Sequence, residues 1–209
     1  MAGWLAMAGC GAPVEAPSPA PSAADCAPCH EDLVQAWSAS RHARASTNPN
    51  AAIAIAEAPQ APWCRTCHAP EAAHPDEGVT CATCHVRDGA IVVARPAGAW
   101  AEAEHRTVVD PTLGTADACA RCHQFEGPIA DGHGVGGDPL QDTVGEWARA
   151  GTDETCQDCH LRGHTFPGAH DPDLLRSALD VRVVDGALEL APTPDLGHAL
   201  PTGDPFRQL

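Results

Sequence analysis

The 209-residue chain contains no lysine and no tyrosine, and its only methionines are Met1 and Met7. Aromatic side chains are scarce, with five tryptophans and three phenylalanines. A core made of side chains alone would be thin for a chain of this length, so we expect other material to fill part of the interior. The 20 prolines and 19 glycines predict few long helices or strands.

Positive charge is also scarce. All 12 basic residues are arginines, against 28 acidic residues, and the formal net charge is −16. This balance argues against nucleic acid and anionic membrane surfaces as partners, because both bind basic patches. It favours a basic or neutral protein partner, or reflects good solubility alone.

Cysteine, in contrast, is abundant. Ten of the 11 cysteines form five C-x-x-C pairs, and a histidine follows every pair at once, as CAPCH, CRTCH, CATCH, CARCH and CQDCH. C-x-x-C-H is the attachment signature of c-type haem, in which two thiols form thioethers and the histidine binds iron. The predicted attachment cysteines are Cys26, Cys29, Cys64, Cys67, Cys81, Cys84, Cys119, Cys122, Cys156 and Cys159, and the predicted proximal ligands are His30, His68, His85, His123 and His160.

Three other uses of paired cysteines fit less well. A zinc ribbon needs no histidine after every pair, and a disulfide scaffold does not either. Thioredoxin-like redox sites occur singly. The sequence therefore predicts five covalently attached haem c groups. The second and third motifs, at Cys64 and Cys81, follow each other closely, which predicts neighbouring haems.

The second axial position of each iron can be considered by elimination. Haem iron takes His, Met, Cys or Tyr ligands, and some multihaem enzymes use Lys. Tyrosine and lysine are absent, both methionines precede Cys10, and the paired cysteines are consumed, so we expect histidine. The remaining histidines are His42, His74, His105, His133, His164, His170 and His198.

The first ten residues, MAGWLAMAGC, resemble part of a bacterial lipoprotein signal, with Cys10 as the candidate lipid anchor. No basic residue precedes the apolar run, and the alternative is an ordinary free cysteine. Residues 11–24 are rich in Pro and Ala, as in a tether between an anchor and a domain. Haem attachment of this kind takes place outside the cytoplasm, so export is expected in either case.

Local patterns predict a few elements. Leu33, Val34 and Trp37 have helical spacing, and Trp147 lies in a predicted short helix. Asp171 and Pro172 fit the N-cap and first position of another helix. Two Asp-Gly pairs predict hairpins, one at Asp88-Gly89 and a second in VRVVDGALEL. We expect a pentahaem domain over residues 25–179 and a β-hairpin-containing segment over 180–209 that stops within its pattern, as in a truncated chain.

Several phrases resemble the multihaem cytochromes c that include the tetrahaem electron carrier of ammonia-oxidising bacteria. They are CAPCHEDLVQAWSASRHARA, GVTCATCH, EAEHRTV, CARCHQFE, EWARAG, HTFPGAHD and GHALPTGD. The resemblance covers residue 25 to the end and implies a mainly helical fold with much irregular chain, packed compactly around the haems. It also implies distal roles for His42 and His105, and further ones for His164 and His198.

The other histidines have alternative explanations besides a role as distal ligand. His170 is a further candidate, or a surface residue before the Asp171 cap. His74 lies in a short connection that could leave it exposed, and His133 lies in a glycine-rich loop. His164 follows His160 by four positions, so we expect it to bind the iron of a neighbouring haem rather than the same one.

The predicted function is electron transfer between redox proteins, such as other cytochromes or a quinol oxidase, by an exported periplasmic or cell-surface lipoprotein. An alternative is a reductase or oxidase of small nitrogen or sulfur species with one open haem. The missing lysine and tyrosine argue against pentahaem nitrite reductase and hydroxylamine oxidoreductase, whose catalytic haems use those residues. A third alternative is a subunit of an extracellular cytochrome conduit.

Overall fold

The computed structural model describes residues 20–57, 61–96, 105–126 and 139–203. These stretches contain short α-helices joined by irregular chain, as the glycine and proline content predicts. The α-helices are α1 Ala23–Ser38, α2 Pro49–Glu57, α3 Ala61–His68, α4 Cys81–His85, α5 Ala116–His123, α6 Thr143–Ala150, α7 Cys156–His160 and α8 Pro172–Ala178. A 3₁₀ helix spans Pro111–Gly114.

Side-chain caps define where several helices begin. Ser22 and Asp25 form a capping box at the start of α1, and Thr155 and Asp158 form another at α7. In each box two backbone N–H groups that lack partners within the helix find side-chain acceptors. Asp171 caps α8, with Pro172 at the first helical position, as predicted.

Three small sheets connect the helices. Strand β1 Val86–Arg87 pairs antiparallel with β2 Ala90–Val93, which pairs parallel with β3 Thr107–Val109. Strands β4 Gln124–Phe125 and β5 Gln141–Asp142 form a second, antiparallel sheet. Strands β6 Leu179–Val184 and β7 Ala187–Pro192 form a third.

Both predicted Asp-Gly hairpins are present. Asp88 and Gly89 have φ values of 49° and 70°, and Asp185 and Gly186 have values of 50° and 81°. Two consecutive residues with positive φ are the requirement of a type I′ turn, which Asp-Gly satisfies well. The first hairpin joins β1 to β2, and the second joins β6 to β7.

Among the described residues most buried apolar side chains are small. They are Ala23, Ile55, Ala69, Ala82, Ala90, Val92 and Ala116. Protein interiors are normally filled as densely as organic crystals, and alanines alone cannot fill the space between short helices. The described interior therefore suits a protein whose core includes large groups other than side chains.

The hairpin of β6 and β7 projects an exposed apolar face. Cross-strand partners Val183 and Leu188 are 74% and 64% exposed, and Val181 and Leu190 on the same face are both 59% exposed. Asp180, Arg182 and Glu189 alternate with them on the other face. In the stretches described, no helix has the length and apolarity needed to cross a membrane. Cys10 and the 11–24 segment lie outside the described residues, apart from positions 20–24.

Candidate haem-binding sites

All five C-x-x-C-H motifs lie on helical turns, and the histidine stands where the helix ends or breaks. Helices α3, α4, α5 and α7 have their motif histidine as the last residue. In α1 the helix continues, but His30 leaves helical geometry, with φ −127° and ψ 37°. The two cysteines of a motif therefore share one side of a turn, and the histidine ring is free to turn beneath a group attached to them.

The ten motif cysteines are all free thiols. A disulfide scaffold, one of the alternatives for these pairs, is therefore not formed by them. The described stretches also contain no cluster of three or more His, Cys, Asp or Glu side chains suited to a bare metal ion.

Four of the motif histidines face a second histidine ring. His30 faces His105 with ring centroids 6.2 Å apart, and His42 faces His123 at 6.3 Å. His85 faces His164 at 6.2 Å, and His160 faces His198 at 6.0 Å. Each pair joins one motif histidine to one of the sequence-predicted distal candidates.

This separation has a simple geometric meaning. An iron between two imidazoles needs a metal–nitrogen bond of about 2.0 Å on each side, and with about 1.1 Å from nitrogen to ring centre the centroids lie about 6.2 Å apart. Rings stacked in direct contact would be closer, and unrelated rings would show no common distance. The four observed separations of 6.0–6.3 Å therefore fit an iron between each pair.

The fifth motif histidine, His68, has different surroundings. Its side chain is exposed, and within the four described stretches no other histidine ring faces it. Its Nδ1 lies 2.9 Å from the carbonyl oxygen of Ala45. His133, which could approach from the glycine-rich segment, lies outside the described residues.

Backbone carbonyls hold the outer nitrogen of several rings. His85 Nδ1 lies 3.1 Å from Val92 O, His160 Nδ1 lies 2.6 Å from Pro167 O, and His198 Nδ1 lies 2.9 Å from Ala199 O. A carbonyl accepts only, so each of these rings donates from Nδ1 and leaves Nε2 as the lone-pair nitrogen. Metal-bound histidines commonly donate their second ring N–H in this way.

The backbone at His164 has a conformation that is unfavourable for residues other than glycine. Its φ is 71°, in the left-handed region, and its Nδ1 is buried without a hydrogen-bond partner among the described residues. Burial, followed by the nearby His85, lowers the pKa of His164. The neutral imidazole, which is the form that binds iron, is therefore favoured.

Two other histidine candidates lie apart from these pairs. The Nε2 of His74 is 2.8 Å from the carbonyl oxygen of Ala20, so the nitrogen that binds iron in most proteins is already used. His170 is exposed in the turn before α8.

Contacts between thiols show which motifs are neighbours. Cys26 is hydrogen bonded to Cys81, which joins the first motif to the third. The hydrogen bond with Cys122 lowers the pKa of Cys67 to about 6, and the same contact raises the pKa of Cys122. The second motif is therefore next to the fourth.

The fourth motif also adjoins the fifth and the third. A hydrogen bond from Cys119 lowers the pKa of Cys156 to about 7. The pKa of Cys119 is raised mainly by this hydrogen bond, then by burial, and to a smaller extent by the charges of Cys156 and Cys84. The hydrogen bonds place the fourth motif beside the second and the fifth, and Phe166, which lies beside both His42 and His164, places it near the third.

Four residues that support this arrangement were not singled out from the sequence. Phe166 packs 4.3 Å from the His42 ring and 6.0 Å from the His164 ring, between the third and fourth sites. Gly78, with φ 69°, lies so close to the His42 backbone that a Cβ would be 2.2 Å from its carbonyl oxygen. Gln124 and Gln141 surround His123 and the start of α6. The positive φ at Gly78 gives a reason for a glycine there, but the sequence holds no signal for the other three.

The chain matches no protein-family model and no curated protein. Among solved structures it matches the penta-heme cytochrome c552 from Thermochromatium tepidum, with a TM-score of 0.68 and 24% sequence identity over 91% of this chain and 70% of the other. The predicted fold class is confirmed: short helices and irregular chain with small sheets, in the fold of a pentahaem cytochrome c. The likeness to the group with the tetrahaem carrier of ammonia-oxidising bacteria stays a prediction.

Proposed function

We propose that the chain is a pentahaem c-type cytochrome that passes electrons between redox partner proteins. The observation that carries the proposal is the set of four histidine pairs at 6.0–6.3 Å, each with one member in a C-x-x-C-H motif. The ten free thiols, the small buried side chains and the pentahaem fold support five covalent haems. Each haem, when bound, takes up and releases one electron at its iron.

The proposed distal ligands come from distant parts of the chain. His105 would serve the first site, His164 the third, His42 the fourth and His198 the fifth. Two neutral imidazoles on one iron favour a low reduction potential, because methionine ligation raises it. The backbone carbonyls on Nδ1 orient the rings and increase the basicity of the ligating nitrogen.

The thiol contacts support a branched order of the sites. The first site adjoins the third, the third adjoins the fourth, and the fourth adjoins both the fifth and the second. Electrons that enter at the first or fifth site would then cross the fourth, and the second site would be a branch. The net charge of −16 favours partners with a basic or neutral docking face.

We also propose export, because c-type haem is attached outside the cytoplasm, and a lipid anchor at Cys10. Metabolic labelling with a fatty-acid analogue tests the anchor, with Cys10→Ser as control: label in the parent chain and none in the variant supports it. Absence of label in the parent chain would leave a periplasmic protein without that anchor.

The central test is a haem count on the purified, exported protein. A pyridine haemochrome assay should give five haems per chain, and electron paramagnetic resonance should show at least four low-spin ferric centres. A count far from five, or a spectrum dominated by high-spin iron, would contradict the proposal. Cytochrome filaments in electron microscopy would favour the conduit alternative.

A second candidate function rests on His68. With no described ring opposite its exposed side chain, the second haem would keep one axial position open to a small ligand, as a reductase or oxidase of small nitrogen or sulfur species needs. Cyanide or nitrite should then bind one haem in five and convert a high-spin signal to low-spin. If the parent protein is entirely low-spin and His133→Ala opens one haem, His133 is the distal ligand and the enzyme candidate is wrong.

A further inference from the structure

His123 has a different Nδ1 partner from three of the other motif histidines. His68, His85 and His160 each place Nδ1 against a backbone carbonyl. His123 instead places Nδ1 3.1 Å from the side-chain amide nitrogen of Gln141. A backbone carbonyl is the same whatever the residue, whereas a side-chain partner can be changed by a single substitution.

Gln141 is held in an unusual place for an amide side chain. It is 1% exposed and is the largest fully buried side chain among the described residues. It lies on β5 opposite Phe125, and β4 begins immediately after His123, so this short sheet sets Gln141 beside the ring. Burying an amide costs free energy unless it is hydrogen bonded, which indicates that the amide is kept for its contacts.

Neighbouring side chains fix the position of Gln141. Gln124 accepts hydrogen bonds from the N–H groups of Val144 and Gly145 at 3.1 and 3.0 Å and donates to Asp142 at 2.8 Å. These contacts anchor the first turn of α6 beside β5. The main chain on both sides of Gln141 is therefore fixed relative to His123.

A hydrogen-bonded chain of side chains continues beyond the amide. Gln141 Nε2 is 3.5 Å from Thr143 Oγ1, which is 2.9 Å from Thr202 Oγ1. Thr202 donates to Glu146 at 2.5 Å, and Glu146 also accepts from the N–H of Ala199. The carbonyl of Ala199 in turn accepts from His198 Nδ1 at 2.9 Å. The path thus connects His123 of the fourth site with the histidine that faces His160 of the fifth.

The direction of the first hydrogen bond depends on whether iron is bound. A neutral imidazole whose Nε2 binds iron carries its proton on Nδ1, so His123 must then donate. The amide nitrogen of Gln141 cannot accept, but the amide can turn over and present Oε1 in the same place. The single proton of the Thr202 hydroxyl goes to Glu146, so Thr143 keeps donating to Thr202 after the turn, and only the 3.5 Å hydrogen bond between Gln141 and Thr143 is given up.

We propose that Gln141 is a positioning residue that sets the reduction potential of the fourth haem by accepting a hydrogen bond from His123. This inference rests on the proposed function and adds a specific control point to it. Helix α5 of the fourth site packs against α3 of the second and α7 of the fifth, and Phe166 lies beside both His42 and His164, which face the motif histidines of the fourth and third sites. A change of its potential would therefore alter the distribution of electrons among all branches.

The test uses the full-length, haem-loaded protein and three variants. Gln141→Glu keeps the shape and supplies a stronger, anionic acceptor, which favours ferric iron. Gln141→Leu removes the acceptor and favours ferrous iron. Gln35→Glu adds the same charge at the exposed side chain of Gln35 on α1 and serves as the control. Potentials are measured by redox titration followed in the visible spectrum and by electron paramagnetic resonance.

One of the five midpoint potentials should fall in Gln141→Glu and rise in Gln141→Leu, while the other four move less. We expect about a tenfold change in the one-electron equilibrium constant, which corresponds to about 59 mV. The component that moves must also be the one that His42→Met raises, since His42 faces His123.

Three results would overturn the inference: no component moves, all five move as in Gln35→Glu, or both Gln141 variants only lose haem. Failure of the proposed function is distinguishable from these, because it would appear in the unmodified protein as a haem count other than five.

Discussion

The ring of His164 lies opposite that of His85, with centroids 6.2 Å apart and planes inclined by 37°. His164 follows the fifth motif in sequence, whereas His85 belongs to the third. The loop after one motif thus places a histidine ring opposite the motif histidine of another, and Phe166 in the same loop contacts the ring of His42. Residues 161–170 therefore connect the third, fourth and fifth sites.

The first prediction concerns His164. Replacement with alanine should convert one of five haems from low-spin to high-spin, since the ring opposite His85 is lost. Replacement with methionine should keep that haem low-spin and raise its potential, because thioether ligation favours ferrous iron. His74→Ala is the matched control, since the Nε2 of His74 binds a backbone carbonyl. A new high-spin signal in the control, or none in His164→Ala, would contradict the assignment.

The second prediction concerns Gly78, which brings the segment before the third motif against His42. A Cβ at this position would lie 2.2 Å from the carbonyl oxygen of His42 and 2.9 Å from that of Ala43. Gly78→Ala should displace His42 and weaken ligation of the fourth haem, seen as a high-spin component and lower thermal stability.

Gly89→Ala is the control that distinguishes the steric clash with His42 from the backbone strain that both substitutions cause. Gly89 has nearly the same φ, 70°, but no atom lies within 4 Å of the position of its Cβ. The control should therefore cost only the left-handed strain of about 1–2 kcal/mol and leave the fourth haem low-spin. Equal spectra for the two variants would show that the contact with His42 does not matter.

The third prediction concerns acid stability at the fifth motif. Backbone and then side-chain hydrogen bonds from Thr155 lower the pKa of Asp158 below its ordinary value of 3.8. A carboxyl with a lower pKa in the folded state stabilises the fold above its unfolded pKa, and this contribution is lost as pH falls through the folded pKa. Asp158→Asn should therefore lower the free energy of unfolding at pH 7 relative to the parent. Below about pH 4 the free energy of unfolding of the variant should fall less steeply with decreasing pH than that of the parent, as followed by Soret circular dichroism. An unchanged acid limb would exclude this contribution.

The fourth prediction concerns the link between the first and third motifs. Trp37 donates from its indole nitrogen to the carbonyl of Val79 at 2.8 Å. Trp37→Phe keeps most of the packing and removes this hydrogen bond, which should lower the free energy of unfolding by about 1 kcal/mol. Trp147→Phe is the comparison, because Trp147 also donates to a carbonyl, that of Glu154, but on the surface. A smaller loss for Trp37→Phe than for Trp147→Phe would contradict the expected order.

Local chemistry explains what could be predicted from the sequence. The five motifs, the two Asp-Gly turns and the Asp171 cap depend on neighbouring residues, and each was readable as a pattern. The helix predicted from the spacing of Leu33 and Trp37 is α1, which ends at Ser38, and His42 lies in the turns that follow.

The histidine partners and the neighbours of each motif could not be predicted, because they depend on contacts between distant segments. His42 follows the first motif and faces the histidine of the fourth. Close spacing of the second and third motifs predicts adjacent haems, and this stays a prediction. The thiol contacts place the second motif beside the fourth and the third beside the first. The positions of Gln141 and Gln124 likewise depend on the sheet of β4 and β5. Each of these strands has two residues, which is too short to give a periodic pattern in the sequence.

The position of His164 beyond the fifth motif also has a consequence for biosynthesis. A chain exported N-terminus first presents the third attachment site long before the residue that would complete it. The pairing of His85 with His164 can form only after the chain beyond the fifth motif has been made and exported. A product that stopped after the fourth motif would lack His164, and under the proposed ligation its third haem would keep one axial position open to small ligands.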